Sequence, residues 1–145
     1  MRQTNVTFEG NADSKNRQQA IVACTDAEIR QILTSVLREF AIQPVFLENL
    51  DEVRDLLAQQ EPLIVFIQTR IVQGDFREVL RAADCPGSGI PVIVCSEFYD
   101  KDIYIEAMAL GAFDYLATPY RREEVVWVVN NAVGWGSLPP NVHAA

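Results

Sequence analysis

The side chains in this sequence that could do chemistry follow short apolar segments. They are Cys24 and Thr25, Gln68, Ser96, and Thr118. A thiol at a helix N-terminus has a lowered pKa and could be reactive. A hydroxyl becomes a nucleophile when a base activates it, whereas an amide is a neutral hydrogen-bonding group. What these five positions can do therefore depends on the residues that accompany them.

Few residues in the sequence could activate a thiol or a serine hydroxyl as a nucleophile. The only histidine, His143, lies near the end of the chain, so no imidazole base stands near Ser96 in the sequence. A buried small side chain is the simpler interpretation of Cys24, and a strand-end hydrogen bond is the simpler interpretation of Ser96. We also interpret Asp26 and Asp75 as helix caps rather than as ligands.

These positions belong to a repeating pattern of strands and helices. The segment Pro62-Leu63-Ile64-Val65-Phe66-Ile67-Gln68 is rich in β-branched residues, which is typical of a strand buried on both faces. Four further strands are predicted at 20–24, 44–47, 90–95 and 114–117, and a helix follows each strand. Five βα units predict an α/β fold with a doubly wound parallel sheet. In such folds ligands bind at the carboxyl ends of the strands, where the five positions meet.

Polar residues predict where the helices begin. Thr25 and Glu28 have the spacing of a capping box. The later helices are predicted to begin at Asn49, Asp75 and Asp100 and after Pro119. Gly111 is predicted to end the fourth helix.

Length and composition indicate one domain of ordinary globular character. The 145 residues are 49% hydrophobic, which is enough for one core, and the net charge of -8 argues against a nucleic-acid-binding surface. No apolar run approaches the roughly 18 residues of a membrane helix, and the three cysteines form no metal-binding spacing. We therefore expect a cytoplasmic protein with reduced thiols. We divide it into a flexible arm (1–18, with a possible short strand at 6–8), a domain (19–134) and a linker or tail (135–145).

Three stretches carry a resemblance to a known family. They are Asp26-Ala27-Glu28-Ile29-Arg30, Ile90-Pro91-Val92-Ile93, and Gly111-Ala112-Phe113-Asp114-Tyr115-Leu116 with Pro119-Tyr120 after it. With these motifs, residues 19–134 resemble a response-regulator receiver domain of two-component signalling. The resemblance implies a flavodoxin-like (CheY-like) fold of five parallel strands in the order 2-1-3-4-5, with five helices.

The resemblance also implies a phosphorylation pocket, and this sequence lacks most of it. Phosphorylatable receivers have an acidic pair after the first strand, an Asp ending the third, a Ser or Thr ending the fourth, and a Lys before the proline that follows the fifth. The matching positions here are Cys24 and Thr25, Gln68, Ser96 and Thr118, of which only Ser96 fits. Residues 63–73 contain no Asp or Glu, so a shifted alignment restores no acceptor. Because an amide forms no acyl phosphate and Mg²⁺ prefers carboxylates, we expect a degenerate pseudo-receiver without catalytic residues or bound Mg²⁺.

The last predicted helix has more apolar residues than one buried stripe needs. The stripe is assigned to Val125, Val126, Val129 and Ala132. Trp127 and Val128 are then surplus, and we expect them on an exposed apolar patch. The other predicted members of the patch are Tyr104, Met108, Tyr115 and Tyr120. The patch lies on the face of the fourth helix, fifth strand and fifth helix, which resembles the face that receivers use for dimers and output domains. Alternatively, Trp127 folds back over its own helix or under the tail at Trp135. The resemblance also places Tyr115 where receivers have an aromatic that changes rotamer on activation, but we favour a half-buried ring with its hydroxyl in water.

The sequence therefore favours a non-enzymatic regulatory domain that acts by protein–protein contact. The simplest form is a homodimer that regulates an output module or a separate partner, without direct nucleic-acid or membrane binding. One alternative is a receiver that remains active in a phosphorelay through an atypical acceptor such as Ser96. Another is an enzyme of flavodoxin-like fold, which the glycine-free loop at 24–28 disfavours.

Overall fold

The computed structural model describes residues 18–85 and 87–135, which form seven strands and five helices. The strands are β1 (Gln19–Ala23), β2 (Gln43–Phe46), β3 (Ile64–Gln68), β4 (Arg70–Ile71), β5 (Gly74–Asp75), β6 (Val92–Ser96) and β7 (Asp114–Ala117). The helices are α1 (Ala27–Glu39), α2 (Leu50–Gln59), α3 (Phe76–Ala82), α4 (Lys101–Ala109) and α5 (Arg122–Trp135).

Five of the strands form one parallel sheet in the order β2-β1-β3-β6-β7. If only these five strands are counted, the order is 2-1-3-4-5, as expected. Gln68 is in register with Cys95, and Ser96 is in register with Ala117. Ala23 pairs with Ile67, so the next residue of the first strand reaches the level of Gln68. The register therefore brings the predicted site residues to one edge of the sheet.

The sheet is covered on both faces, which explains the apolar composition of β3. Phe66 belongs to the cluster that α1 and α5 cover, whereas Val65 and Ile67 belong to the cluster under α2, α3 and α4. All three side chains are fully buried. The prediction of a central strand buried on both faces is confirmed.

Side-chain caps begin four of the helices, and one predicted cap is wrong. Asn49, Asp75 and Asp100 cap α2, α3 and α4 as predicted. For α1 the cap is Asp26, whose carboxylate accepts the Glu28 backbone N–H at 2.9 Å. The predicted capping box of Thr25 does not form, because the helix begins one residue later than that spacing requires. Thr25 is thereby left free to contact another strand.

A short antiparallel ribbon of β4 and β5 follows β3. A Cβ at Gly74 would lie 2.6 Å from the Leu50 side chain, so the ribbon needs glycine there. At the end of the described chain, α5 continues to Trp135. The predicted strand at 6–8, and nearly all of the predicted arm and tail, lie outside the described residues.

None of the helices formed by the described residues combines the length and the apolar character that a membrane crossing requires.

Candidate functional site

A cavity of about 420 Å³ opens at the carboxyl edge of the sheet, at the position where open α/β folds bind ligands. It lies among the loops that follow β1, β3 and β6. Its lining residues are Thr25, Asp26, Ile29, Gln68, Thr69, Arg70, Cys95, Glu97 and Tyr120. Two of the five predicted pocket residues, Thr25 and Gln68, line it directly. The other three lie at or near the same sheet edge.

The Gln68 amide joins two of these loops. Its Oε1 accepts the backbone N–H of Thr25 at 2.7 Å and the Thr25 hydroxyl at 3.2 Å. Its Nε2 donates to the Arg70 carbonyl at 2.6 Å. Two donors occupy the amide oxygen, which can accept two hydrogen bonds. The side chain thus fastens the β1–α1 loop to the chain that follows β3, and we call these three bonds the Gln68 clasp.

The end of β1 contributes a buried thiol. Cys24 has no exposed surface, and its carbonyl accepts a hydrogen bond from Arg30 Nε at 2.6 Å. The neighbouring Cys24 thiol and the burial of Cys95 together raise the pKa of the Cys95 thiol well above its ordinary value. Cys95 is therefore neutral near pH 7. Both thiols are free, and their burial favours the filler interpretation of Cys24 over a reactive one.

The hydroxyls at the end of β6 and after β7 bind backbone carbonyls. The Ser96 hydroxyl donates to the Phe98 carbonyl, and the Thr118 hydroxyl donates to the Glu97 carbonyl. Ser96 is buried, and the described residues place no histidine beside it. The Thr118–Pro119 peptide bond is cis. Both hydroxyls hold the β6–α4 loop, so Ser96 has the strand-end role expected of it.

The pocket does not fit a magnesium ion. Cys24, Thr25 and Gln68 supply no carboxylate, and the amide oxygen of Gln68 already has two donors. Asp26 caps α1. Among the residues that the structure describes, no three His, Cys, Asp or Glu side chains are grouped as a metal site would require. Two carboxylates do line the cavity, on Asp26 and Glu97, but the positions aligned with the acidic residues of phosphorylatable receivers supply none of the carboxylates that Mg²⁺ prefers.

Comparisons with known proteins agree with this architecture. NtrC of Escherichia coli K12, a DNA-binding transcriptional regulator, is 30% identical over 108 residues, which cover 74% of this chain and 23% of NtrC. A putative response regulator from Chloroflexus aurantiacus superposes with a TM-score of 0.72 at 20% identity and covers 81% of this chain and 98% of its own. The receiver domain of a putative LuxO repressor from Vibrio parahaemolyticus superposes with a TM-score of 0.75 at 13% identity, and the match covers 87% of this chain and 97% of that domain.

The chain has the fold of response-regulator receiver domains. It spans about a quarter of the length of NtrC, the curated relative named above. No protein-family model matches it.

The predicted interface of this domain divides into exposed and buried residues. Tyr104, Met108 and Trp127 are exposed, Trp127 at 63%. Tyr120 and Val128 are buried at 7% and 1%, so their assignment to an exposed patch is wrong. The physical reasons differ, and both follow from the described contacts.

Val128 completes the buried stripe of α5. The stripe consists of Val125, Val128, Val129 and Ala132, at the spacing i, i+3, i+4, i+7. The sequence prediction placed Val126 in this stripe, but Val126 is only half-buried. Tyr120 turns inward because its hydroxyl donates to the Ser96 carbonyl at 2.7 Å. Burial, the largest cause, raises the pKa of that hydroxyl well above its ordinary value.

Tyr115 lies beneath the exposed rings rather than among them. Its ring centroid is 5.9 Å from that of Tyr99 and 5.7 Å from that of Tyr104, both edge to face. Its hydroxyl accepts the Asp100 N–H at 3.1 Å and donates to the Phe98 carbonyl at 3.4 Å. The expectation that this hydroxyl lies in water is wrong. Tyr115 instead supports the start of α4.

Sequence reasoning missed four exposed apolar residues near α4: Phe98, Tyr99, Ile105 and Leu110. An aromatic pair in the polar loop before a helix cap was the available signal. Trp127 lies five residues, or about 140° of helical rotation, from Arg122, which binds Ser35 and Glu39 of α1. It therefore faces away from α1. We define the α4–α5 patch as Tyr99, Tyr104, Ile105, Met108 and Trp127.

Proposed function

We propose that this receiver domain does not use aspartyl-phosphate chemistry and that it acts by protein–protein contact as a homodimer through the α4–α5 patch. The observation that carries the proposal is the Gln68 clasp. At the position where phosphorylatable receivers have their acceptor, this chain has an amide whose oxygen and nitrogen are both engaged with neighbouring loops.

The rest of the pocket supports the loss of phosphorylation. An acyl phosphate requires a carboxylate nucleophile, and the five aligned positions contain none. The position aligned with the lysine holds Thr118, whose hydroxyl binds the Glu97 carbonyl. Phosphorelay through Ser96 is the alternative. We disfavour it because the Ser96 hydroxyl is buried and donates to a backbone carbonyl, with no base described beside it.

The size of the α4–α5 patch supports a dimer. Its exposed side-chain parts amount to roughly 500 Å² of apolar surface per copy, given the usual areas of such side chains. Two copies would bury about 1,000 Å² before any polar rim is counted, which is near the lower bound of a specific interface. A patch of this size is comparable to the largest apolar patch on a typical monomer, about 300–600 Å², which is often functional.

The regulated partner is an output module in a longer chain or a separate protein. The curated relative NtrC is a DNA-binding transcriptional regulator and is about four times as long as the part that matches. We place DNA contact, if this system has it, outside this acidic domain, whose net charge is -8. The cytoplasm is the compartment consistent with this role.

Sedimentation velocity across a concentration range tests the dimer. We expect a dimer that Trp127→Asp converts to a monomer. Val72→Asp is the matched control, because Val72 is equally exposed at 62% but lies beside the β4–β5 ribbon, away from α4 and α5. A monomer at every concentration, or equal loss of the dimer in both variants, would refute this interface.

Incubation with acetyl phosphate and Mg²⁺ tests the proposed loss of phosphorylation separately from the dimer. We expect no phosphate on the wild type by intact mass, and no change in sedimentation. Gln68→Asp alone should also remain unmodified, because the acidic pair and the lysine are still absent. Phosphate on the wild type that disappears in Ser96→Ala would establish the phosphorelay alternative instead.

A further inference from the structure

Helix α4 carries most of the α4–α5 patch, yet it is weakly packed against the domain. Of its nine residues, only Ala107 is buried. By comparison, α1 buries Ile29, Leu33, Val36 and Leu37. A helix with one small buried side chain gains little from apolar burial. Ile103 is half-buried against the core cluster, so packing holds the helix weakly and polar contacts must add to it.

Polar contacts hold the first turn of α4. The Asp100 carboxylate accepts the N–H groups of Asp102 and Ile103 at 2.9 and 3.2 Å. The backbone N–H of Asp100 donates to the Tyr115 hydroxyl. These bonds fix where the helix starts, and the edge-to-face contact of Tyr104 with Tyr115 adds one further point of support.

Arg77 of α3 holds α4 one turn further along. Its Nη2 donates to Glu106 Oε1 at 2.7 Å, and its Nε donates to Glu106 Oε2. Its Nη1 donates to Asp75 at 2.9 Å, and the guanidinium lies 4.6 Å from the centroid of the Phe76 ring. A two-point fork fixes orientation as well as distance. Asp75 and the ring in turn hold the guanidinium in place.

We propose that Arg77 is a positioning residue, which holds α4 and therefore the α4–α5 patch in the arrangement that binds the partner copy. The part concerning the interface rests on the proposed dimer, whereas the part concerning α4 does not. One consequence is a salt dependence opposite to the one expected of an interface held by apolar contacts alone. Because salt screens an exposed ion pair, the dimer should weaken as sodium chloride rises, although its contact surface is apolar.

Hydrogen–deuterium exchange of α4 in the monomeric Trp127→Asp background tests the positioning role without the dimer. We expect Arg77→Gln to speed exchange in α4 by about five-fold, a modest effect typical of an exposed but forked ion pair, with α1 and α5 unchanged. Glu106→Gln should do the same. The double variant should add little, because both changes remove one interaction.

Arg54→Gln is the matched control, because Arg54 forms an exposed ion pair with Glu78, at 3.5 Å, that does not involve α4. It should leave α4 exchange unchanged. Sodium chloride at 0.5 M, a concentration of strong screening, should speed α4 exchange in the Trp127→Asp background and have no further effect once Arg77→Gln is added. Unchanged α4 exchange in Arg77→Gln, or faster exchange throughout the domain, would overturn the proposal. If the proposed dimer fails, the exchange result still decides whether Arg77 positions α4.

Discussion

Gln68→Glu is the substitution that tests the Gln68 clasp most directly. Glutamate has nearly the shape of glutamine, and one carboxylate oxygen can still accept the N–H and the hydroxyl of Thr25. The second oxygen replaces the Nε2 group that donates to the Arg70 carbonyl at 2.6 Å. A donor–acceptor contact thereby becomes a contact between two acceptors, one of them charged.

The expected cost follows from this one contact. A buried acceptor left without its donor costs about 1–3 kcal/mol. Gln68 is only half-buried, so water and a small rotation relieve part of the repulsion. We therefore expect Gln68→Glu to lower the free energy of unfolding by about 1–2 kcal/mol at pH 7. For a domain of this size, that loss corresponds to a fall in Tm of roughly 4–8 °C.

The sign of the pH dependence makes the prediction specific. In the folded variant the Arg70 carbonyl favours the protonated carboxyl, which can donate to it, so the pKa of the introduced group is raised. Relative to the wild type, stability should therefore be regained as the pH falls through that raised pKa. Urea titrations of both proteins at neutral and acidic pH measure the difference. Equal stability at pH 7, or a deficit independent of pH, would refute the clasp as described.

Three other predictions concern burial and charge elsewhere in the domain. Tyr120→Phe should cost about 1–2 kcal/mol in urea unfolding, because it leaves the Ser96 carbonyl without its donor, and it should leave sedimentation unchanged. Val128→Ala should lower the free energy of unfolding by about 2 kcal/mol, because it truncates a core side chain. Trp127→Ala should change the free energy of unfolding of the monomer by less than about 0.5 kcal/mol. Equal changes in the two variants would contradict the assignment of Val128 to the core and Trp127 to the surface. Asp114→Asn should raise Tm at pH 7, because burial raises the pKa of the Asp114 carboxyl and its charged form destabilises the fold. That gain should vanish in acid, and a gain that persists there would show another cause.

The fold was predictable because its signals are local and repeated. The β-branched run of β3 indicated a strand buried on both faces, and it is buried on both. Asn49, Asp75 and Asp100 are residue types that favour helix starts, and each caps a helix. Such patterns need no knowledge of distant residues. The sheet order depended on the family resemblance, and the register then brought the candidate residues to one edge.

The predictions that failed depended on tertiary contacts, which the spacing of residues in the sequence does not reveal. In α5 the run of consecutive valines fits two adjacent stripes almost equally well, and packing against α1 and the sheet selects the one with Val128 rather than Val126. The inward turn of Tyr120 depends on a carbonyl 24 residues away. The Gln68 clasp likewise joins residues 43 apart in sequence. The residue types at these positions can be read from the sequence, but their hydrogen-bond partners cannot.

The pocket residues share a feature that explains why single substitutions should not restore phosphate chemistry. Gln68, Ser96 and Thr118 each donate to a backbone carbonyl near the carboxyl edge of the sheet, on Arg70, Phe98 and Glu97 respectively. A carboxylate in place of the amide would face a carbonyl, and a lysine in place of Thr118 would release the loop that the threonine holds. Without partner acids, that lysine would also be an unpaired charge at a costly position. Each step back toward a phosphorylatable site therefore weakens the fold before the remaining steps can compensate for it.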